Sequence, residues 1–486
     1  MVSPPTRLAS PLVAAALCAL AACQVSTEGA PCHGDVSCPS GQRCGADQRC
    51  SVKAAGCTEC ADGETACVPG GLATCAVAAD GICRSFGAPV APGPHQVCDS
   101  STPRAARILC PPAGSTFYVD PGAGADASAT PAPTGASAPA ICRFNGIRPA
   151  IDAANAVVQA TAGATATVLV SATGGTVPLI LSEAGFDLLP GVTLTSNATA
   201  SPTGPPASLP YAVELTGTLT LHEGATLSGL EVRPGANFPA VGDGIVTACA
   251  AGATAPAVVQ DARVVGTNAG ARFTNSVHQA GACPLTVART LVEGGGKGIF
   301  VEATSTAVMR IDAGEVCGAR DVGLYFFQVP STVQVHVTNT TVHGNCATMD
   351  TPVLGGTRRA GGVVFEGALP STDFRGNKVL DNQGDQVLVA STGAAPGFTL
   401  TGDSTASGNV CPAPQDANHF TCRDTTGAHV VVFSSGAAVS ALGNFWFNVP
   451  PNLGEDYSAN VDPKGTGAQL CGITDRACAG TPTSCP

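Results

Sequence analysis

Charge is scarce in this sequence: 12% of its 486 residues are Asp, Glu, Lys or Arg, and 4% are aromatic. Low charge without a long helical pattern excludes the usual cytosolic helical enzyme and points to a β-rich exported protein. What charge there is leans acidic, with 35 acidic against 23 basic residues and a formal net charge of −12. Such a chain repels nucleic acid, and no basic aromatic patch offsets the repulsion. Also missing are a Ser-His-Asp signature, a phosphate loop and a dinucleotide fingerprint. The apolar run Leu8 to Ala22 is too short to span a bilayer.

Cysteine is abundant, with 23 in the chain. Eleven of them fall between Cys32 and Cys110, closely spaced, so this stretch reads as a small disulfide-stapled module. Spacing does not reveal the pairing. The segment Cys57-Thr58-Glu59-Cys60 has the form of a redox pair or half a zinc site. No βαβ context and no matching second pair accompany it, so membership of a disulfide framework is expected. Setting aside Cys18 and Cys23 leaves 21 cysteines, an odd number, so at least one is unpaired or joined to another chain.

The first 22 residues read as an export signal: Arg7, the apolar run, then Leu20-Ala21-Ala22-Cys23. This box resembles the bacterial lipoprotein signal, in which cleavage falls before the cysteine and lipid is attached to it. The resemblance implies that Cys23 is the lipidation site. The partner it implies is a membrane, held through an N-terminal lipid anchor. Gln24, which is not Asp, implies sorting to the outer membrane.

Residues 23–110 are then the Cys-rich module and 111–146 an Ala/Pro-rich lead-in. Residues 147–160 form the one good helical pattern: Ile147, Ala150, Ile151, Ala154 and Val158 share a face, Pro149 sits early and Asn145 is placed to cap. From about 165 onward short β-branched runs repeat. A Gly or polar residue opens three or four apolar ones, as in Gly244-Ile-Val, Gly298-Ile-Phe-Val, Gly323-Leu-Tyr-Phe-Phe, Gly362-Val-Val-Phe and His429-Val-Val-Val-Phe. A second strand and an Asn-rich bend follow, as in Val335 to Asn345 and Phe374 to Asn382. A period in the twenties marks a solenoid, and about 300 residues at roughly 25 per turn make ten to twelve turns. Gly and Asn are read as supplying left-handed bends. A sandwich or propeller is the rival, disfavoured by the Asn bends and the missing hairpin turns. The β-helix is expected over 147–450 and a cap over 451–486, with Trp446 plugging the last turn and Cys471, Cys478 and Cys485 stapling the tail.

Tyr118-Val119-Asp120-Pro121-Gly122, Cys142-Arg-Phe, the helix and Val168-Leu-Val-Ser together resemble the opening of a bacterial family of unknown function. That resemblance covers about 115–235. It implies an all-β, right-handed parallel β-helix of the pectate-lyase-like class with an N-terminal capping helix. It implies no catalytic residues.

β-helix enzymes on sugars use clustered carboxylates, with calcium and an Arg or Lys base for lyases. The repeat region offers Asp312, Asp321, Glu366, Asp373, Asp381 and Asp385, with Arg310, Arg320, Arg358, Arg359, Arg375 and Lys378. The tightest set is Glu366, Asp373, Arg375, Lys378, Asp381 and Asp385, which adjacent turns would bring together or leave as solvated faces. No Asp-Asp pair or Gly-His-Gly segment like those of polygalacturonases occurs. Asp381 and Asp385 are expected to cap turns or face water. His336 and His343 are seven apart, a spacing that a metal site would need on one face but that strand alternation and a bend scatter. Asn345, Asn377 and Asn382 read as ladder or bend asparagines rather than ligands. The expected protein is a non-catalytic envelope lipoprotein, with no catalytic, cofactor or metal residue assigned, that binds a polysaccharide or a protein or is structural. The alternative is a polysaccharide lyase or hydrolase.

Overall fold

A computed structural model describes residues 30–33, 38–39, 42–44, 48–52, 60–77, 84–92, 96–100, 102–109, 116–121, 143–171, 179–198, 204–303, 307–353, 355–391 and 398–400, with short strands beyond, the last at 471–472. Cys23 lies outside the described residues. The chain forms two compact units, Met1–Leu109 and Cys110–Pro486.

The first unit is built from short antiparallel strands and disulfides. Cys32 pairs with Cys44 and Cys38 with Cys50, two interlocked bridges. Cys60 pairs with Cys75 and Cys67 with Cys98, so Cys60 belongs to the framework rather than to a CxxC bridge. The backbone hairpin Thr65–Val68 with Gly71–Val77 carries Cys67 and Cys75, with Ala73 and Cys75 buried in a small core.

The second unit is a parallel β-helix. Its turns run through three parallel sheets, here sheets I, II and III. Sheet I has eleven strands, from Leu179–Glu183 to Cys471–Gly472. Sheet II has nine, from Phe186–Leu188 to Val430–Phe433, and sheet III nine, from Thr116–Val119 to Ser371–Arg375. Each turn visits III, I and II in order; the eleven strands of sheet I fall within the ten to twelve turns expected from the repeat, and sheets II and III hold nine each. Parallel pairing continues past 450: Phe445–Trp446 pairs with both His419–Thr421 and Cys471–Gly472, so the Trp446 strand is not the last.

Register explains why each turn tolerates so little variation inside. In sheet III the inward column is Phe117, Val168, Leu194, Leu227, Val259, Val287, Ile311, Val337 and Phe374, each pairing with the next. In sheet I it is Leu181, Val213, Val232, Val264, Val292, Val316, Val342 and Val379. All are buried. Branched side chains stack on their counterparts above and below, and one continuous apolar column results, which no single turn provides alone.

The helix Ile147–Ala160 closes the N-terminal end. Ile147, Ala150, Ile151 and Ala154 are fully buried against the first strands, so the open edge and end of the column are covered. Its N-cap is Gly146, without a side-chain cap; Asn145 does not take that place. A carboxylate oxygen of Glu183 instead accepts the Ile147 N–H at 3.2 Å, where the helix dipole favours an anion. The lead-in folds back alongside: Asp120, 1% exposed, pairs with Arg143 at 2.6 Å, the Asp120 N–H donates to the Phe144 carbonyl and the Phe144 N–H to the Tyr118 carbonyl.

The bends depart from the expected chemistry in two ways. From sheet III to sheet I the chain passes one left-handed residue per turn: Gly229, Asp261, Arg289, Ala313, Asn339 and Gly376, with φ between 45° and 65°. Three of these six are neither Gly nor Asn. The N–H groups of Gly229, Asp261, Arg289, Ala313 and Asn339 each donate to a carbonyl one turn on, as Asp261 to Ala288 and Arg289 to Asp312, and this ladder holds unfavoured residues in place. Conversely, the glycines opening the apolar units are not left-handed. A Cβ on Gly298 would sit 2.5 Å from the Gly323 carbonyl oxygen, and one on Gly323 2.7 Å from Asn345 Nδ2. These glycines exist because neighbouring turns approach closely.

Two antiparallel excursions interrupt the coil, Thr267–Asn268 with Ala271–Arg272 and Thr351–Val353 with Gly356–Arg358. The second lengthens its turn, lying between the sheet I strand Thr341–His343 and the sheet II strand Ala360–Glu366.

Candidate functional site

Alternation along each strand puts one set of side chains outside, and the three outer faces differ in chemistry. On sheet III the exposed features are modest. His336 faces Asp373 at 3.3 Å, and Arg375 pairs with Asp373 at 3.1 Å. Arg310 is exposed one turn earlier.

Sheet I carries an ion-pair chain. Arg233 bridges Glu214 and Glu231 at 2.8 and 3.2 Å, and Arg263 bridges Glu231 and Glu293 at 3.2 and 2.7 Å. Next along the same face come Glu315, Cys317 and His343. His343 Nε2 lies 2.9 Å from Glu315, whose carboxyl this hydrogen bond holds below its usual range against the opposing effect of burial. Cys317 is a free thiol, pushed up to about 12 by burial and then by the Glu315 and Glu293 charges.

Sheet II bears an aromatic ladder. In Lys297–Ala303, Ile299 and Val301 point inward and Phe300 outward; in Val322–Phe327, Leu324 and Phe326 point inward and Tyr325 and Phe327 outward. His278, Phe300 and Tyr325 succeed one another in register. The Phe300 and Tyr325 rings stack with centroids 5.3 Å apart; Phe300 lies 4.8 Å from the His278 ring and 6.4 Å from Phe327. Lys297 Nζ stands 5.4 Å from the Phe300 centroid. Carboxylates flank the rings. Asp243 is 2.6 Å from His278 Nδ1 and Glu302 is 3.6 Å from His278 Nε2. Burial alone would raise the Asp243 carboxyl, but the bond and charge of His278, with Asn275, outweigh it and hold it low. Tyr325 Oη donates to Glu366 at 2.5 Å, and burial with that carboxylate raises the phenol, which stays a neutral donor.

Beyond Tyr325 the same face is covered. Val322, Tyr325, Val364 and Leu388 are buried outside the coil, with Met349 and Val353 of the second excursion packed on them. Phe300 and Phe327 stand at the open margin of this cover, half-buried. Arg358 of the excursion grips Asp385 with two bonds, Nε to Oδ2 at 2.6 Å and Nη2 to Oδ1 at 2.5 Å.

The expected carboxylate set does not come together. Glu366 and Asp385 lie on sheet II, Asp373 and Arg375 on sheet III, and Lys378 and Asp381 on or just after sheet I. Asp381 does sit in a bend, left-handed at φ 54°. Asp385 does not face water: it is 1% exposed and ion-paired, because the excursion covers that stretch. Of the other candidates, Asp312 accepts the Thr338 hydroxyl at 2.6 Å, Asp321 accepts that of Thr348, Arg359 pairs with Asp350 and Arg320 is exposed. His336 and His343 fall on different sheets. Asn345, Asn377 and Asn382 are fully buried bend residues, as read; Asn345 Nδ2 donates to Asn382 Oδ1 at 2.8 Å, and Asn377 Nδ2 donates to the Val337 carbonyl at 2.7 Å.

Sequence reasoning missed that Phe300, Tyr325 and Phe327 point outward, the first and last half-buried and Tyr325 covered, because their runs read as uniformly apolar. A period-two reading of Gly298 to Glu302 would have turned Phe300 outward. Among the described residues, no helix is long and apolar enough to cross a membrane. Comparison with known proteins finds no matching family model, curated protein or solved structure.

Proposed function

We propose that this is an exported envelope lipoprotein that binds polysaccharide, without cleaving it, along the outer face of sheet II. The observation carrying this reading is the aromatic ladder in which His278, Phe300 and Phe327 stand half-buried beside the covered Tyr325, with polar groups at its edge. Sugar rings stack on aromatic faces while their hydroxyls bond to flanking carboxylates, and Glu302 and Glu366 border the rings. A rigid β-helix repeats this face at the spacing of its turns, which suits a repeating polymer. The carboxylates nearby are already engaged, Asp243 by His278, Glu366 by Tyr325 and Asp385 by Arg358, which favours binding over hydrolysis. The membrane tether rests on the Leu-Ala-Ala-Cys23 box, and the kinship proposed is with the pectate-lyase-like family of unknown function.

A glycan array and affinity electrophoresis on the secreted Cys23→Ser protein test this. Binding to an envelope or extracellular polysaccharide, lost in Phe300→Ala and Phe327→Ala with the circular dichroism spectrum unchanged, is expected. Binding untouched by both changes refutes the site. Polymer breakdown lost on changing His278 would establish the enzymatic alternative, which the His278 position between two carboxylates supports. Membrane retention of Cys23→Ser after a carbonate wash would refute the tether.

A further inference from the structure

We infer that Glu315, Cys317 and His343 form a binding site for a thiophilic divalent metal ion, zinc by preference. Glu315 and Cys317 are two apart on one strand and so share its outer face. His343 is the register partner of Cys317 on the next turn. One donor atom from each lies within 4.8 Å of the other two, and all three residues are half-buried. Around tetrahedral zinc such atoms stand ~3.3–3.6 Å apart, given metal–ligand lengths of about 2.0–2.3 Å. Small side-chain rotations close the site without moving the strands.

Three further observations favour a metal over a plain hydrogen-bonded cluster. First, the charges do not balance. The ion-pair chain of this face joins two guanidiniums to Glu214, Glu231 and Glu293, and Glu315 follows with a histidine rather than an arginine. Second, Cys317 is kept apart from the disulfide chemistry of this chain. Among the described residues eleven cysteines are disulfide-bonded, and Cys317 is the free one. Third, the donor set is one sulfur, one imidazole and one carboxylate, which selects zinc over calcium or magnesium. The other cysteine cluster with metal spacing, Cys32, Cys38 and Cys44, is consumed by disulfides.

Binding is balanced as follows. The Cys317 thiol releases its proton to solvent and the thiolate sulfur joins the metal. The Glu315–His343 hydrogen bond gives way to one metal–oxygen and one metal–nitrogen bond, and the Nε2 proton leaves to solvent, with Nδ1 carrying the remaining imidazole proton so that the ligand is neutral. Thiolate and carboxylate together neutralise the dication, and water fills the fourth position. Without the metal, burial keeps the thiol protonated and a poor nucleophile.

The test uses the full oxidised chain, stripped with a chelator and titrated with cobalt(II). A thiolate-to-cobalt charge-transfer band at one ion per chain, discharged by zinc but not by calcium or magnesium, is expected. Zinc should also protect Cys317 from iodoacetamide, read by peptide mass spectrometry. Cys317→Ser should abolish the band. His343→Gln and Glu315→Gln should weaken binding at least ~10-fold, by loss of one ligand each. Circular dichroism checks folding, and the two conservative variants decide the matter if Cys317→Ser misfolds. No band from reduced Cys317, a band that survives Cys317→Ser, or Cys317 found in a disulfide would overturn the proposal.

Discussion

Removing either partner of the Arg358–Asp385 clamp should destabilise the protein, and unequally. Asp385 is 1% exposed, whereas the Arg358 side chain is 33% exposed. Arg358→Ala therefore leaves a carboxylate buried without its bidentate partner, a situation that costs about 3–5 kcal/mol. Asp385→Ala leaves a guanidinium at the rim that can turn into water. Its cost is the lost charge-assisted hydrogen bonds, discounted for that exposure, or about 1–2 kcal/mol. The double variant has no stranded charge, so it should be less destabilised than Arg358→Ala alone. A double-mutant cycle in urea, followed by circular dichroism, measures all three, with a coupling of at least about 1.5 kcal/mol expected. Loosening the clamp should also lift Met349 and Val353 from Tyr325, Val364 and Leu388, and raise binding of an apolar dye. Equal single effects, or a strictly additive double variant, would refute the assignment of Asp385 as the buried, dependent partner.

Asn382→Ala removes the acceptor for Asn345 N–H and Nδ2 and the donor to the Val342 carbonyl, all buried, and should cost about 3–5 kcal/mol in denaturant unfolding. A loss under 1 kcal/mol would mean that water replaces it. Gly298→Ala should cost about 1–3 kcal/mol, because its Cβ meets the Gly323 carbonyl oxygen; a neutral or stabilising effect would show that the turns can separate there. The Asp243 carboxyl lies below its ordinary value of 3.8 in the folded state, facing His278 and, past it, Glu302. A depressed folded value adds stability that is present above 3.8 and lost as pH falls through the folded value. His278→Gln should flatten the acid limb of the stability curve in that window, and an unchanged limb would refute the coupling.

Much of the architecture was legible from the chain alone, for a physical reason. A parallel β-helix writes its period into the sequence, since each turn must present Val, Ile, Leu or Phe at the same inward positions, and Val232, Val264, Val292, Val316, Val342 and Val379 do so one per turn. The helix is equally local: Ile147, Ala150, Ile151 and Ala154 fall at helical spacing, and all four are buried. The buried asparagines followed from the bends they occupy. Tertiary structure decided what depends on register between turns. Arg289 and Ala313 adopt left-handed bends in which each N–H donates to the next turn, which no local preference foretells. Asp385 is buried because a hairpin inserted about 27 residues earlier returns to cover it. Glu315, Cys317 and His343, and likewise Phe300 and Tyr325, meet only when strands a full turn apart align, since stacking converts a long sequence separation into a spacing of about 4.8 Å.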